Sequence, residues 1–157
     1  MVYKPIGIIH SPFLGVENMP IQPVGAVGIR GEVELFTEYA PGLQDLEGFS
    51  HIILLYHFHR AAQPRLIVMP FLDSVPHGVF ATRAPARPNP IGLSVVRLLG
   101  RDRNLLQIEN VDVLDGTPLL DIKPYAPDFD HYEVQSTGWL ASARDKAKDQ
   151  RSDDRFR

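Results

Sequence analysis

Proline and glycine interrupt this chain so often that it cannot build a bundle of long helices. Fourteen prolines and twelve glycines occur among its 157 residues. An interior proline removes a helical hydrogen bond and collides with the preceding turn, and glycine is a poor helix former. What remains between these breaks are short apolar runs, which predict strands at residues 2–9, 27–36, 51–58, 66–71, 78–82, 91–99, 105–114 and 119–122. Val33 and Leu35 alternate with Glu32 and Glu34, predicting a strand with one wet face. The continuous run 52–55 predicts a strand covered on both faces. Between residues 105 and 114 the alternation changes phase near Glu109 and Asn110, as a bulge or turn requires. Only residues 37–47 and the tail from about Ser142 carry helical patterning. The expectation is a single, mainly β domain over residues 1–140, a barrel or a sandwich with short helices. Ten of the last seventeen residues are charged and only Phe156 among them is large and apolar. Residues 141–157 therefore predict a charged tail, either a frayed helix or disordered.

Several common chemistries are excluded by what is missing. The chain has no cysteine, which removes disulfides, thiolate metal sites and cysteine nucleophiles. It has no P-loop. Gly25, Gly28 and Gly31 are spaced wrongly for a dinucleotide fingerprint and lead into a half-wet strand, so the fold is not expected to be Rossmann. Ser94 does not sit in a nucleophile elbow. No apolar run is long enough to span a membrane and the N-terminus is not laid out as a signal peptide, so no membrane partner and a cytoplasmic location are expected. The net charge of −3 argues against indiscriminate coating of nucleic acid. The average conceals seven arginines against two acids in residues 57–103, a basic middle suited to phosphate or another anion.

Four stretches carry chemistry. His57 and His59 share one face of an extended strand and together suggest a metal pair, but no acid follows at cupin-like spacing, so no metal site is expected. In residues 83–92, Pro85, Pro88 and Pro90 stiffen the backbone that carries Arg83 and Arg87. Guanidinium forks on a pre-ordered segment suit a carboxylate or phosphate. Asp115, Gly116, Thr117 and Pro118 form a turn whose hydroxyl and amides can meet a ligand. Asp121, Lys123 and Tyr125 follow at two-residue spacing, which places an acid, a base and a phenol on one face of a strand.

Taken together, these stretches resemble the TrmO family, also called TsaA-like, of S-adenosylmethionine-dependent tRNA methyltransferases. The matching residues run in collinear order from Ile6-Gly7-Ile8-Ile9-His10-Ser11-Pro12 and Pro20-Ile21-Gln22-Pro23 through Leu46-Glu47-Gly48-Phe49-Ser50-His51-Ile52, His57-Phe58-His59-Arg60 and Gly78-Val79-Phe80-Ala81-Thr82-Arg83. The block Arg87-Pro88-Asn89-Pro90-Ile91-Gly92-Leu93-Ser94 and residues 115–125 complete the set. The resemblance implies a small β-barrel, a homodimer, and S-adenosyl-L-methionine as cofactor. It implies N6-methylation of threonylcarbamoyl-adenosine beside the tRNA anticodon, with tRNA bearing that nucleoside as the partner. By the same resemblance Pro20, Ile21, Gln22, His59, Arg60, Arg87, Asp115, Gly116, Thr117 and Pro118 fall where the family holds the cofactor. Ile21 stands where a basic residue is expected in bacterial relatives. Asp121, His59 and Tyr125 are candidate acceptors for the N6 proton, while Lys123, or Arg83 in the basic stretch, suits the threonyl carboxylate. The alternatives are a non-catalytic adenine-nucleotide or RNA-binding module, a small-molecule methyltransferase and, more distantly, a metal-dependent cupin-like enzyme.

Overall fold

The computed structural model describes residues 1–143, 146, 148–153, 155 and 156. Eight strands form: β1 (Gly7–His10), β2 (Arg30–Leu35), β3 (His51–His57), β4 (Ile67–Val68), β5 (His77–Gly78), β6 (Ile91–Asp102), β7 (Leu105–Glu109) and β8 (Thr117–Pro124). Six of them close into a barrel in the order β1-β2-β7-β6-β3-β8, and β8 pairs back onto β1. Every pairing in the barrel is antiparallel. The short strands β4 and β5 pair separately. One four-residue helix, α1 (Pro127–Asp130), follows the barrel. Among the described residues no helix is long and apolar enough to cross a membrane.

The alternation read from the sequence sets which side chains fill the barrel. Val33 and Leu35 point inward beside Ile9, while Glu32 and Glu34 are exposed. On β3, Ile52, Leu54 and Tyr56 enter the same core. The expectation that β3 is covered on both faces is only half met, because its outward residues Ile53 and Leu55 are partly buried. A barrel shields its inner face completely, whereas the described residues leave the outer one partly open.

Local backbone chemistry accounts for the other differences. Residues 37–47 form two 3-10 turns, Thr37–Leu43 and Leu46–Gly48, and no α-helix. Pro41 removes a backbone donor there, and Asp45 adopts a left-handed φ of 66° between the two turns. Residues 78–82 form a 3-10 turn (Val79–Ala81) after the end of β5, because the Thr82 hydroxyl donates to the Val79 carbonyl at 2.9 Å. The phase change after β7 is a turn at Asn110, whose φ is 69° and whose side-chain oxygen accepts from the Gly28 amide at 2.9 Å.

The tail's one large apolar side chain, Phe156, is buried against Phe71 with the rings edge to face at 5.1 Å. Ser152 hydrogen-bonds the carbonyls of Val16 and Met19, and Arg151 bridges to Pro20. Part of the expected tail, residues 144, 145, 147, 154 and 157, lies outside the described residues.

A close approach decides the geometry at one mouth of the barrel. Tyr56 of β3 lies directly opposite Gly92 of β6. The ring covers the space that a side chain at position 92 would need, and an added Cβ would overlap it. Gly92→Ala should therefore destabilise the protein by about 1–3 kcal/mol, the usual range for overpacking a filled site. Urea denaturation of the two proteins measures this; an unchanged midpoint would show that the ring is free to move aside.

Candidate functional site

The C-terminal end of β3 and the N-terminal ends of β6 and β8 meet at this mouth, because β3 runs antiparallel to both. Around them the loops 16–22, 58–61 and 80–87 and the tail enclose a cavity of about 810 Å³. That volume lies within the roughly 300–1,000 Å³ range of small-molecule sites. Apolar and aromatic side chains, among them Phe58, Phe71, Leu93 and Trp139, make up much of the wall. Of the residues expected from the sequence, Pro20, Ile21, Gln22, His59, Arg60, Arg83, Arg87 and Thr117 line this cavity.

The proline-rich segment is rigid for a reason the sequence only half reveals. Arg87 turns its guanidinium back onto its own loop, where one nitrogen donates to the carbonyls of Val79 (3.3 Å), Thr82 (2.9 Å) and Ala84 (3.2 Å). Backbone bonds from Arg65 to Ala86 and from Phe58 to Pro90 tie the segment to its neighbours. Arg87 thus builds the wall as well as lining it. Arg83 remains exposed and donates to the Gln22 side-chain oxygen at 3.0 Å, which joins two walls of the cavity. Arg60 donates to the Leu14 carbonyl at 3.4 Å.

His59 sits at the rim with Nδ1 at 3.4 Å from the Thr117 hydroxyl. Partial burial, followed by the nearby charges of Arg60 and His57, lowers its pKa. At neutral pH the imidazole is therefore uncharged and able to accept a proton. Among the described residues no group of three or more His, Asp or Glu side chains is placed to hold an ion.

The two later motifs lie elsewhere. Asp115 and Gly116 form the turn before β8, where Asp115 accepts from the Ser11 amide at 3.1 Å and Gly116 adopts a φ of 73°. Pro118 pairs with Ile8 of β1. Neither these three residues nor Asp121, Lys123 and Tyr125 line the cavity. Asp121 and Lys123 stand opposite Leu55 and Ile53 on the outside of the barrel and form an ion pair at 2.7 Å. Tyr125 meets the edge of His51 at 6.4 Å.

The sequence reading did not single out Tyr56 or Asp112 and set Ser94 aside as a nucleophile, yet the three join at the cavity. Asp112 lines the cavity, Ser94 donates to its Oδ1 at 2.6 Å, and the Tyr56 hydroxyl lies 3.0 Å from the Ser94 oxygen. Burial pushes the Asp112 carboxyl up to about 6, against the lowering effects of Ser94, a backbone bond and Arg83. The sequence signal was the acid standing between Val111 and Val113, both fully or nearly buried, just after the phase change.

A closed antiparallel barrel with a rigid, proline-walled cavity at one mouth defines a small β-barrel ligand-binding domain, distinct from doubly wound nucleotide-binding folds. The chain belongs to the tRNA-methyltransferase O N-terminal domain family, whose model matches residues 8–131. It is 58% identical over 154 residues to a probable S-adenosyl-L-methionine-binding protein of Pyrococcus abyssi, covering 98% of this chain and 84% of that one. It is 36% identical over 151 residues to the tRNA (adenine(37)-N6)-methyltransferase of Escherichia coli, covering 90% of this chain and 64% of the enzyme. The crystal structure of TrmO from Pseudomonas aeruginosa superposes with a TM-score of 0.74 at 41% identity, covering 88% of this chain and 62% of that structure. The chain thus spans a little under two thirds of the solved TrmO and of the E. coli enzyme.

Two outcomes follow from the site's geometry. Arg87→Ala leaves three carbonyls without their cationic donor and should cost about 1.5–3 kcal/mol of stability together with ligand affinity. Thermal melts with and without ligand measure both; a variant of full stability would contradict the wall-building role. For Asp112 the folded pKa of about 6 exceeds the roughly 3.9 of an unfolded aspartate. The folded state therefore holds this proton more tightly, and the associated stability is present below about pH 4 and lost as the pH rises through 6. Asp112→Asn should gain on the wild type by about 2–3 kcal/mol between pH 4 and pH 7. Parallel denaturation series at the two pH values check the sign.

Proposed function

We propose that this protein is an S-adenosylmethionine-dependent methyltransferase acting on tRNA, at N6 of threonylcarbamoyl-adenosine beside the anticodon. The observation that supports it most is the cavity itself, in a member of a tRNA-methyltransferase family. Its wall suits this cofactor. Phe58, Phe71 and Trp139 offer aromatic surface for a purine, Gln22 offers an amide, and Arg60 and Arg83 offer cations for a carboxylate. When bound, S-adenosylmethionine supplies an electrophilic methyl group.

The chain's own residues then have three tasks. The rigid loop 83–92 holds the cavity in shape before any ligand arrives, so that little ordering entropy is lost on binding. The apolar wall excludes water from the reacting groups. An acceptor takes the proton released from N6 as its new N–C bond forms. The ureido carbonyl on N6 withdraws electron density, so a modest base suffices, and His59, Asp121 and Tyr125 remain the candidates. His59 lines the cavity, whereas Asp121 and Lys123 stand on the outside of the same chain's barrel and Tyr125, just past β8, packs against His51.

A homodimer reconciles those positions. The outward face of Ile53 and Leu55 beside the Asp121–Lys123 pair is apolar and runs on β6 into Ile91 and Leu93, which line the edge of the cavity and are 41% and 47% exposed. A second copy covering that face would bring its own acid, base and phenol toward the neighbouring cavity. Lys123 then serves the threonyl carboxylate, with Arg83 as a second cation at the rim.

One tRNA species prepared with and without the threonylcarbamoyl group, incubated with protein and cofactor at matched ionic strength, tests the substrate. Mass spectrometry of the nucleosides should show an added methyl group on the modified form alone. Equal methylation of both would mean that the hypermodification is not what the site reads, and methylation of neither would favour a binding module. Lys123→Ala should lower the rate on modified tRNA by about ten- to a hundredfold, the scale of one charge-assisted hydrogen bond, while calorimetric cofactor affinity holds. Light scattering should find a dimer at micromolar concentration.

A further inference from the structure

Ser94, Tyr56 and Asp112 form a polar chain that none of the tasks above uses. Ser94 is 1% exposed and Tyr56 4% exposed. A serine has one hydroxyl proton, and Ser94 gives it to Asp112 at 2.6 Å. The 3.0 Å bond between the two hydroxyls is therefore donated by Tyr56. Both donors point along the chain toward the carboxylate, which fixes its rotamer and supports its negative charge. Tyr56 is itself held in place by the close approach to Gly92.

The carboxylate is the available negative charge of the cavity. Two acids occur among the described lining residues, Asp112 and Asp153. Asp153 is neutralised by Arg155, with contacts of 2.6 to 3.0 Å. Asp112 forms no ion pair among the described residues. Arg83 favours its ionised form through space, but that guanidinium bonds Gln22. Arg60 and Arg87, the other cations of the wall, bond backbone carbonyls. The groups that act on Asp112 are therefore Ser94, Tyr56 and Arg83, from three different segments. A carboxylate withdrawn from water without a paired cation is unfavourable, and a cationic ligand relieves that cost.

We infer that Asp112, positioned by Ser94 and Tyr56, makes the cavity prefer the positively charged sulfonium form of its ligand over the neutral thioether left after methyl transfer. The inference rests on the cofactor assigned under the proposed function. A sulfonium has no N–H to donate and is attracted through its charge, by a nearby negative group or by an aromatic face; in an apolar setting a carboxylate acts on it most strongly. Asp112 supplies that charge from the wall of a cavity also lined by Gly92 and Val113, with one oxygen already occupied by Ser94. Once the methyl group has left, the attraction disappears, so the same residue that favours loading of the fresh ligand also eases release of the spent one.

Calorimetry with S-adenosylmethionine and with S-adenosylhomocysteine separates this role from others, because the two ligands differ by the methyl group and the sulfur charge while sharing the amino group, carboxylate, ribose and adenine. Asp112→Asn should weaken S-adenosylmethionine by about tenfold or more, the scale of one desolvated charge contact, and leave S-adenosylhomocysteine within about a factor of two. Ser94→Ala, which removes the donor and keeps the charge, should shift the ratio the same way by less; circular dichroism melts confirm that both variants fold. Equal weakening of both ligands by Asp112→Asn would place the carboxylate at the shared amino group or in the frame of the site and overturn the inference. So would an unchanged ratio. Wild-type protein that binds neither ligand would overturn the cofactor assignment itself, and the inference with it.

Discussion

The double pairing of β3 is the constraint on which the rest of the molecule depends. This strand is bonded along one edge to β6 and along the other to β8, with a register shift at Leu55 and Tyr56 on the β8 side. A closed sheet leaves no free edge, so the two neighbours cannot move apart without breaking the barrel. The extra residue, Leu120, belongs to β8 and changes the facing of that strand, while the alternation of β3 runs through unbroken. Tyr56 turns inward over Gly92, and beyond it Phe58 and His59 leave the sheet into the cavity wall. The site is a by-product of how one strand ends.

Around that end, charge is arranged by committing most of it to the protein. Arg87 is held by three carbonyls of its own loop, Arg60 by the Leu14 carbonyl and Asp153 by Arg155. What remains for a ligand is narrow: Arg83 at the rim, the part of the Arg60 guanidinium not directed at Leu14, a neutral His59 and the recessed Asp112. A low-dielectric cavity strengthens each of these and makes an unpaired one costly.

The barrel also divides the conspicuous motifs of the chain between its two surfaces. On β8, Thr117 and Leu119 point inward, while Asp121 and Lys123 point outward after the register shift. Residues four positions apart in sequence therefore stand on opposite faces of the wall, and one chain cannot bring them to a common ligand. The apolar face beside Lys123 is where the proposed second copy would sit.

Much of this was legible in the sequence. Spacing of prolines and glycines ruled out long helices, the alternation through Val33 and Leu35 placed the core face of β2, and the order of motifs carried the family. The sequence misled where a single residue overrode a pattern, as Pro41 and Asp45 did in residues 37–47. It was silent on the grouping of Asp112, Ser94 and Tyr56, which come from three strands or loops and acquire a role only when 2.6 Å and 3.0 Å separate them. Local order is set by φ restrictions and by periodicity, and both act within a few residues. Which groups share a cavity is decided by strand register around a closed barrel, and the family motif of residues 115–125 alone does not reveal that its acid and base pair on the outside of the barrel and that its phenol does not line the cavity of its own chain.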